Sequence, residues 1–228
     1  MPADWPSTEA AALAEQDRLG GTVVTTGTLS GVRLVAGLDV AYAKDSDQLA
    51  AAVVVLDAVT LAPVEHRAVA GTARFPYVRG LLAFREIPAL ADALGALRAV
   101  PDVLVCDGYG IAHPRRFGLA SHLGVLAGVP SIGVAKTPFV GEYDEPARGR
   151  GSWTDLTDAG EVTGRVLRTQ PGVNPVFVSV GHAVSLDEAC GLVLRLSPRY
   201  RLPETTRAAD HLARATLSQA TPARTTRA

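Results

Sequence analysis

DVLVCDGYGIAHPRRFGLASHLGVLAGVPSIGVAKTPFVG, residues 102–141, is the stretch on which the reading of this chain turns. Val103–Cys106 is short and wholly apolar, the character of a strand buried on both faces. Apolar spacing then predicts a helix over Phe117–Ala127, with Gly128 placed to cap it. Ser131–Ala135 is a second apolar strand. Asp107 stands at the end of the first strand, before Gly108 and Gly110. Functional groups of α/β proteins gather at the carboxyl ends of sheet strands. An Asp-Gly pair is also a common turn former, so Asp107 alone decides nothing.

Upstream, Val32–Tyr42 and Leu49–Leu56 read as strands joined by a polar turn over 45–48, hence a hairpin. Ala62–Ala73 supplies a third strand, with Pro63 at its edge. Leu81–Leu97 has helical spacing but contains Pro88, which predicts a kink or a restart there. A short helix is expected over Thr8–Leu19, ended by Gly20 and Gly21. Downstream, residues 141–172 read as loops plus a hairpin, and Val176–Val180 as a strand. Ser185 to Glu188 has the pattern of a capping box opening a helix to Leu196. Pro203 opens a last helix to about Leu217. Residues 1–8 are expected to be frayed and 218–228 a disordered tail, leaving a single domain over 9–217. A strand meander followed by β-α units implies an α/β fold, a mixed sheet covered by helices.

Bulk properties narrow the function. With 47% apolar and 20% charged residues, the chain can bury a sizeable core. A formal net charge of -1 gives no global basic field, so any nucleic-acid contact must come from local patches or metal ions. The charge is uneven, with seven arginines against two acids from Arg195 onward, but arginine is abundant along the whole chain and this excess carries little weight. Cys106 and Cys190 lie in apolar runs outside any zinc spacing and read as core residues. No apolar run approaches the ~20 residues that span a bilayer, and no secretory signal pattern opens the chain. A cytoplasmic protein with no membrane partner is therefore expected.

Three carboxylates are out of place. Asp39 lies inside VAGLDVAYA, residues 35–43, although aspartate is depleted from strand interiors. Glu86 interrupts the line Leu82, Glu86, Leu90 and Leu94, otherwise apolar; a salt bridge to Arg85 or Arg79 is the ordinary explanation. Asp107 is the third. Like charges gathered from separate elements repel unless cations neutralise them, and hard divalent cations prefer oxygen ligands.

The chain resembles the endonuclease V family, the deoxyinosine 3′ endonucleases of RNase H-like fold. The resemblance rests on GLDVAYA (37–43), FPYVRGLLAFREIPAL (75–90), the 102–141 stretch, PVFVSVGHAVSL (175–186) and YRLPETTRAAD (200–210). It implies Asp39, Glu86 and Asp107 as ligands of a catalytic magnesium ion, for which manganese can substitute. Asp210 matches a fourth, more variable position near the metal; its bland reading is an i,i+4 pair with Arg214. The implied reaction nicks the second phosphodiester bond 3′ to inosine in DNA or, for some members, RNA. It leaves a 3′-hydroxyl and a 5′-phosphate and so initiates repair. Lys136 and His113 are implied as polar groups of the catalytic site. Tyr77 and Arg79 lie in the strand-probing wedge, where Arg79 departs from the family's second proline. Gly80, Leu82, Gly108 and His113 correspond to the surroundings of the base pocket, and Tyr109 departs from the more usual Gln or His. Arg115, Arg116, Arg201 and Arg207 are candidate phosphate contacts, and His182 is read as structural. A monomer is expected.

A branch- or flap-cutting nuclease of the same fold is the nearest alternative, and a non-catalytic nucleic-acid binder the next. A binder has no need of clustered acids. A Ser/His hydrolase lacks GxSxG, and a P-loop enzyme lacks its glycine-rich signature.

Overall fold

The computed structural model describes residues 5–220. Helix α1 (Glu9–Gly20), capped by the Thr8 hydroxyl, precedes three strands, β1 (Leu34–Tyr42), β2 (Gln48–Asp57) and β3 (Pro63–Thr72). Helix α2 (Leu82–Gly95), β4 (Val103–Asp107), α3 (Leu119–Ala127) and β5 (Ser131–Ala135) follow. The hairpin β6 (Trp153–Asp158) and β7 (Glu161–Leu167) leads to β8 (Val176–His182), α4 (Leu186–Leu196) and α5 (Glu204–Ala220). The strands form one mixed sheet in the order β3-β2-β1-β4-β5-β8-β7-β6. β1, β4 and β5 run parallel; the other neighbours pair antiparallel.

Helices cover both faces, which is why β2 reads as an unbroken apolar run, buried from Leu49 to Leu56. Ala36, Leu38, Leu104 and Cys106 pack beneath Ile87 and Leu90 of α2 and Leu123 of α3. On the opposite face, Val35, Val103 and Val105 join Leu192 and Val193 of α4, and Val54 and Leu56 meet Ala209 of α5. Glycine is required at position 37, where a Cβ would lie 2.2 Å from the Thr205 carbonyl. That contact sets α5 directly on β1.

Most elements fall within about two residues of the sequence expectation, as such boundaries do. Three points differ. First, α2 runs through Pro88 without a restart. Proline removes the bond to the carbonyl four residues back, that of Phe84. The Trp5 indole N–H donates to that same oxygen at 3.0 Å, so the orphaned acceptor is satisfied from the N-terminal segment. Trp5, expected to be frayed, also stacks on His122 at 5.3 Å. Second, Ser185 caps α4 through the Glu188 N–H, but the Glu188 carboxylate accepts from Leu29 N–H, so the reciprocal half of the box is absent. Third, α5 extends to Ala220; the remainder of the expected tail lies outside the described residues. Among the described residues no helix is long and apolar enough to cross a membrane.

Candidate active site

The ladder between β1 and β4 ends at the pair Leu38–Cys106. Asp39 and Asp107 are the next residues on each strand, so they sit side by side where these parallel strands end. Glu86 comes from the second turn of α2 and is buried. Neither expected arginine pairs with it. Arg85 donates instead to the Phe75 carbonyl and Asp47, both at 2.7 Å, and Arg79 lies over the Phe139 ring. Glu86 accepts from the Tyr42 hydroxyl at 3.1 Å.

The carboxylates feel one another. Burial, then the charge of Asp107, raises the Asp39 pKa to about 7; Asp210 adds to this, while the Val40 N–H and Lys136 oppose it. Burial raises Glu86 to about 8, with Asp39 and Asp107 contributing and the Tyr42 hydrogen bond opposing. Burial works against the Lys136 ammonium, but its bond to Asp107 and the charges of Asp39 and Asp210 outweigh this, so its proton is held more tightly than usual. Asp210 also makes the plain i,i+4 bond to Arg214, at 2.7 Å.

These groups do not close into a ligand cage. Among the described residues no three His, Cys, Asp or Glu side chains stand close enough together to hold a metal ion. Each carboxylate has a partner of its own: Val40 N–H for Asp39, Tyr42 for Glu86 and Lys136 for Asp107. The donor set nevertheless suits a hard cation. Buried Glu86 and half-buried Asp39, both with raised pKa values, lack positive charge, and a divalent ion with oxygen preference would supply it.

A cleft of about 340 Å³ opens beside Asp107. Tyr77, Arg79, Gly80, Leu82, Gly108 and His113, picked out from the sequence, all line it. Gly108 has φ 153° and Gly80 φ 86°, backbone that a side chain would strain, and this lets the wall approach a bound group closely. Tyr77 is 74% exposed at the rim, unusual for so large an aromatic. His113 is buried; desolvation lowers its pKa to about 4, against a hydrogen bond to the Gly80 backbone, so it is a neutral wall residue.

Other candidates lie elsewhere. Arg115 pairs with Asp17 of α1, and Arg116 binds Asp158 and Glu161 at 2.8 and 2.7 Å; neither lines the cleft. Arg201 donates to the Lys136 and Pro175 carbonyls, bracing the segment that carries Lys136. His182 accepts from Val24 N–H, a structural contact.

The sequence reading passed over three contributors. Phe139 forms an aromatic wall with Tyr109 and His113 at centroid distances of 5.1 and 5.2 Å. Tyr42 lies within the same motif as Asp39. Gln16 shares the buried side of α1 with Ala12 and Leu19, and its amide donates to the carbonyls of Gly80 and Phe117. A glutamine on an otherwise apolar helix face was the available signal.

Strand order, helix placement and an acidic strand-end site beside a base-sized cleft define an RNase H-like nuclease. Comparison with known proteins makes this specific. The profile of the Endonuclease V family matches residues 17–211, and the chain belongs to that family. An endonuclease V of Streptomyces avermitilis is 56% identical over 223 residues, covering 97% of each chain. A crystal structure of endonuclease V from that organism has a TM-score of 0.92 at 56% identity, covering 96% of this chain and 97% of its own. The Ciona intestinalis endonuclease V, solved with a 23mer DNA containing an inosine followed by a ribo-adenosine, is 30% identical with a TM-score of 0.84, covering 93% of this chain and 98% of its own.

Proposed function

We propose that this protein is a magnesium-dependent endonuclease that nicks DNA at the second phosphodiester bond 3′ to a deaminated base such as inosine, leaving a 3′-hydroxyl and a 5′-phosphate. Manganese substitutes, and inosine-containing RNA is a further substrate to be compared. The carrying observation is the cleft, whose glycine-lined wall ends on Asp107, one strand from Asp39. A flipped base needs such a pocket, and the carboxylates then lie displaced from it along the strand.

Asp39, Glu86 and Asp107 would hold the metal, with Asp210 near by. A divalent cation held there would supply activation of water and stabilisation of the leaving oxygen. Tyr77 stacks at the rim, a contact worth about 1–3 kcal/mol per base. Gly80 and Gly108 bring backbone to the base edge, and neutral His113 with Phe139 closes the wall. The Lys136 ammonium supplies charge beside the phosphate. The chain works as a monomer in the cytoplasm.

The test uses DNA and RNA oligonucleotides carrying one inosine, with magnesium or chelator, and compares wild type with Asp39→Ala. Metal-dependent nicking 3′ to inosine is expected, abolished in the variant while binding largely survives. An equally active variant removes Asp39 from the mechanism. Unmodified branched DNA cut as fast as inosine DNA would instead identify a structure-selective nuclease.

A further inference from the structure

The cleft is lined by residues from 77–83, 107–119 and 137–139, none of them from α5. Asp107 closes one side of it, Asp39 lies on the adjoining strand, and α5 packs on that strand where the Thr205 backbone meets Gly37, two residues before Asp39. A path therefore runs from cleft to carboxylates to α5. Asp210 shares its side of α5 with Arg207 and Arg214, three residues before and four after, and the opposite side buries Thr205, Ala209 and Ala213. The Arg207 guanidinium lies 3.6 Å from the centroid of the Tyr200 ring, which is 47% exposed. Tyr200 is held in place: its carbonyl accepts from Gln170, and the next residue, Arg201, is bound to Lys136.

We infer that Tyr200 and Arg207 form a platform for the nucleic-acid strand on the 3′ side of the cleaved bond. The inference rests on the proposed cleavage reaction, which fixes polarity. The recognised base occupies the cleft 5′ to the cut, the cut lies at the carboxylates, and what continues past them is the 3′ flank. An exposed aromatic face with an arginine stacked on it meets both needs of such a strand. The ring accepts a base or sugar face, and the guanidinium, whose Nε stands 3.6 Å from the Glu204 carboxylate, keeps its charge for a phosphate that displaces this long pair.

The experiment measures nicking of a single-inosine duplex by wild type, Tyr200→Ala, Tyr200→Phe, Arg207→Ala and Arg207→Lys. It uses a long 3′ flank and, separately, an inosine strand ending just past the cleaved bond. On the long substrate the alanine variants are expected to raise KM on the order of tenfold, with Tyr200→Phe retaining wild-type KM. Arg207→Ala lowers the slope of log affinity against log salt by about 0.9, as for one lost phosphate contact, and Arg207→Lys restores it. On the short substrate wild type weakens to the level of the alanine variants, because the contact is missing from both. Unchanged KM in both alanine variants, or an equal deficit on long and short substrates, overturns the inference. A wild type that fails to nick inosine DNA refutes the underlying reaction instead.

Discussion

Asp39 and Glu86 are carboxylates that the metal-free fold prefers protonated, and this fixes a direction for pH dependence. Their pKa values rise from 3.8 and 4.5 to about 7 and about 8 on folding. A raised folded value means that their contribution to stability is fully present below the unfolded pKa and is lost as pH rises through the folded one. In chelator, the melting temperature should therefore fall between about pH 4 and pH 8, and Glu86→Gln should flatten the upper part of that fall. Magnesium should raise the melting temperature more at pH 8 than at pH 6, because it displaces protons from these groups. A metal-free melting curve that rises across this window would contradict the placement. His122 acts in the other direction: it is buried among Trp5, Phe84 and Phe117, neither ring nitrogen has a hydrogen-bond partner among the described residues, and burial lowers its pKa to about 4. A lowered histidine costs stability as pH falls from about 6.5 toward 4, and His122→Leu should blunt acid unfolding measured by circular dichroism. Asp39 and Glu86 drew notice because each breaks a pattern, an acid in a strand and an acid on an apolar helix line; Asp107 at a strand end breaks none, and grouping the three came from the family resemblance. Phe139 and Tyr42 break none, being aromatic residues where aromatic residues are ordinary, so only their neighbours in space reveal their part.

Helix α2 shows how an element can survive a residue that should divide it. Pro88 leaves the Phe84 carbonyl without its helical donor, and the Trp5 indole takes that place. Removing the donor while keeping an aromatic ring isolates this bond. Trp5→Phe should cost about 1–3 kcal/mol, the penalty for an acceptor left unpaired. For a chain of this size that corresponds to roughly 2–4 °C of melting temperature per kcal/mol, readable by calorimetry. No loss in that variant would show that water serves the carbonyl equally well. The expected restart followed from a local rule, and local rules cannot see a donor 79 residues away along the chain. The half-formed capping box of α4 has the same cause: Glu188 has the right spacing for Ser185 but is taken by the backbone of Leu29. The strands were easier to read because their burial is two-sided and continuous, which leaves a long apolar run in the sequence itself.

At the scale of the molecule, β1, which carries Asp39, is covered by the last helix, α5. Gly37→Ala should test that joint. Its Cβ would meet the Thr205 backbone, so α5 must shift, at a cost of about 1–3 kcal/mol or more for overpacking. The same shift would move Asp210 and the Tyr200–Arg207 platform relative to Asp39, so nicking should fall more than stability predicts, measured at a temperature where the variant remains folded. Activity that tracks stability alone would show α5 to be a mere cover. The arrangement also bears on biosynthesis. Chains fold from the N-terminus as they emerge from the ribosome. The strand bearing Asp39 leaves the tunnel early and waits, with its Gly37 face uncovered, for the segment from Thr205 to Asp210. Until that segment emerges, the nascent polypeptide has no helix over the Gly37 face of β1, so this part of the packing is completed only by the last helix to be made.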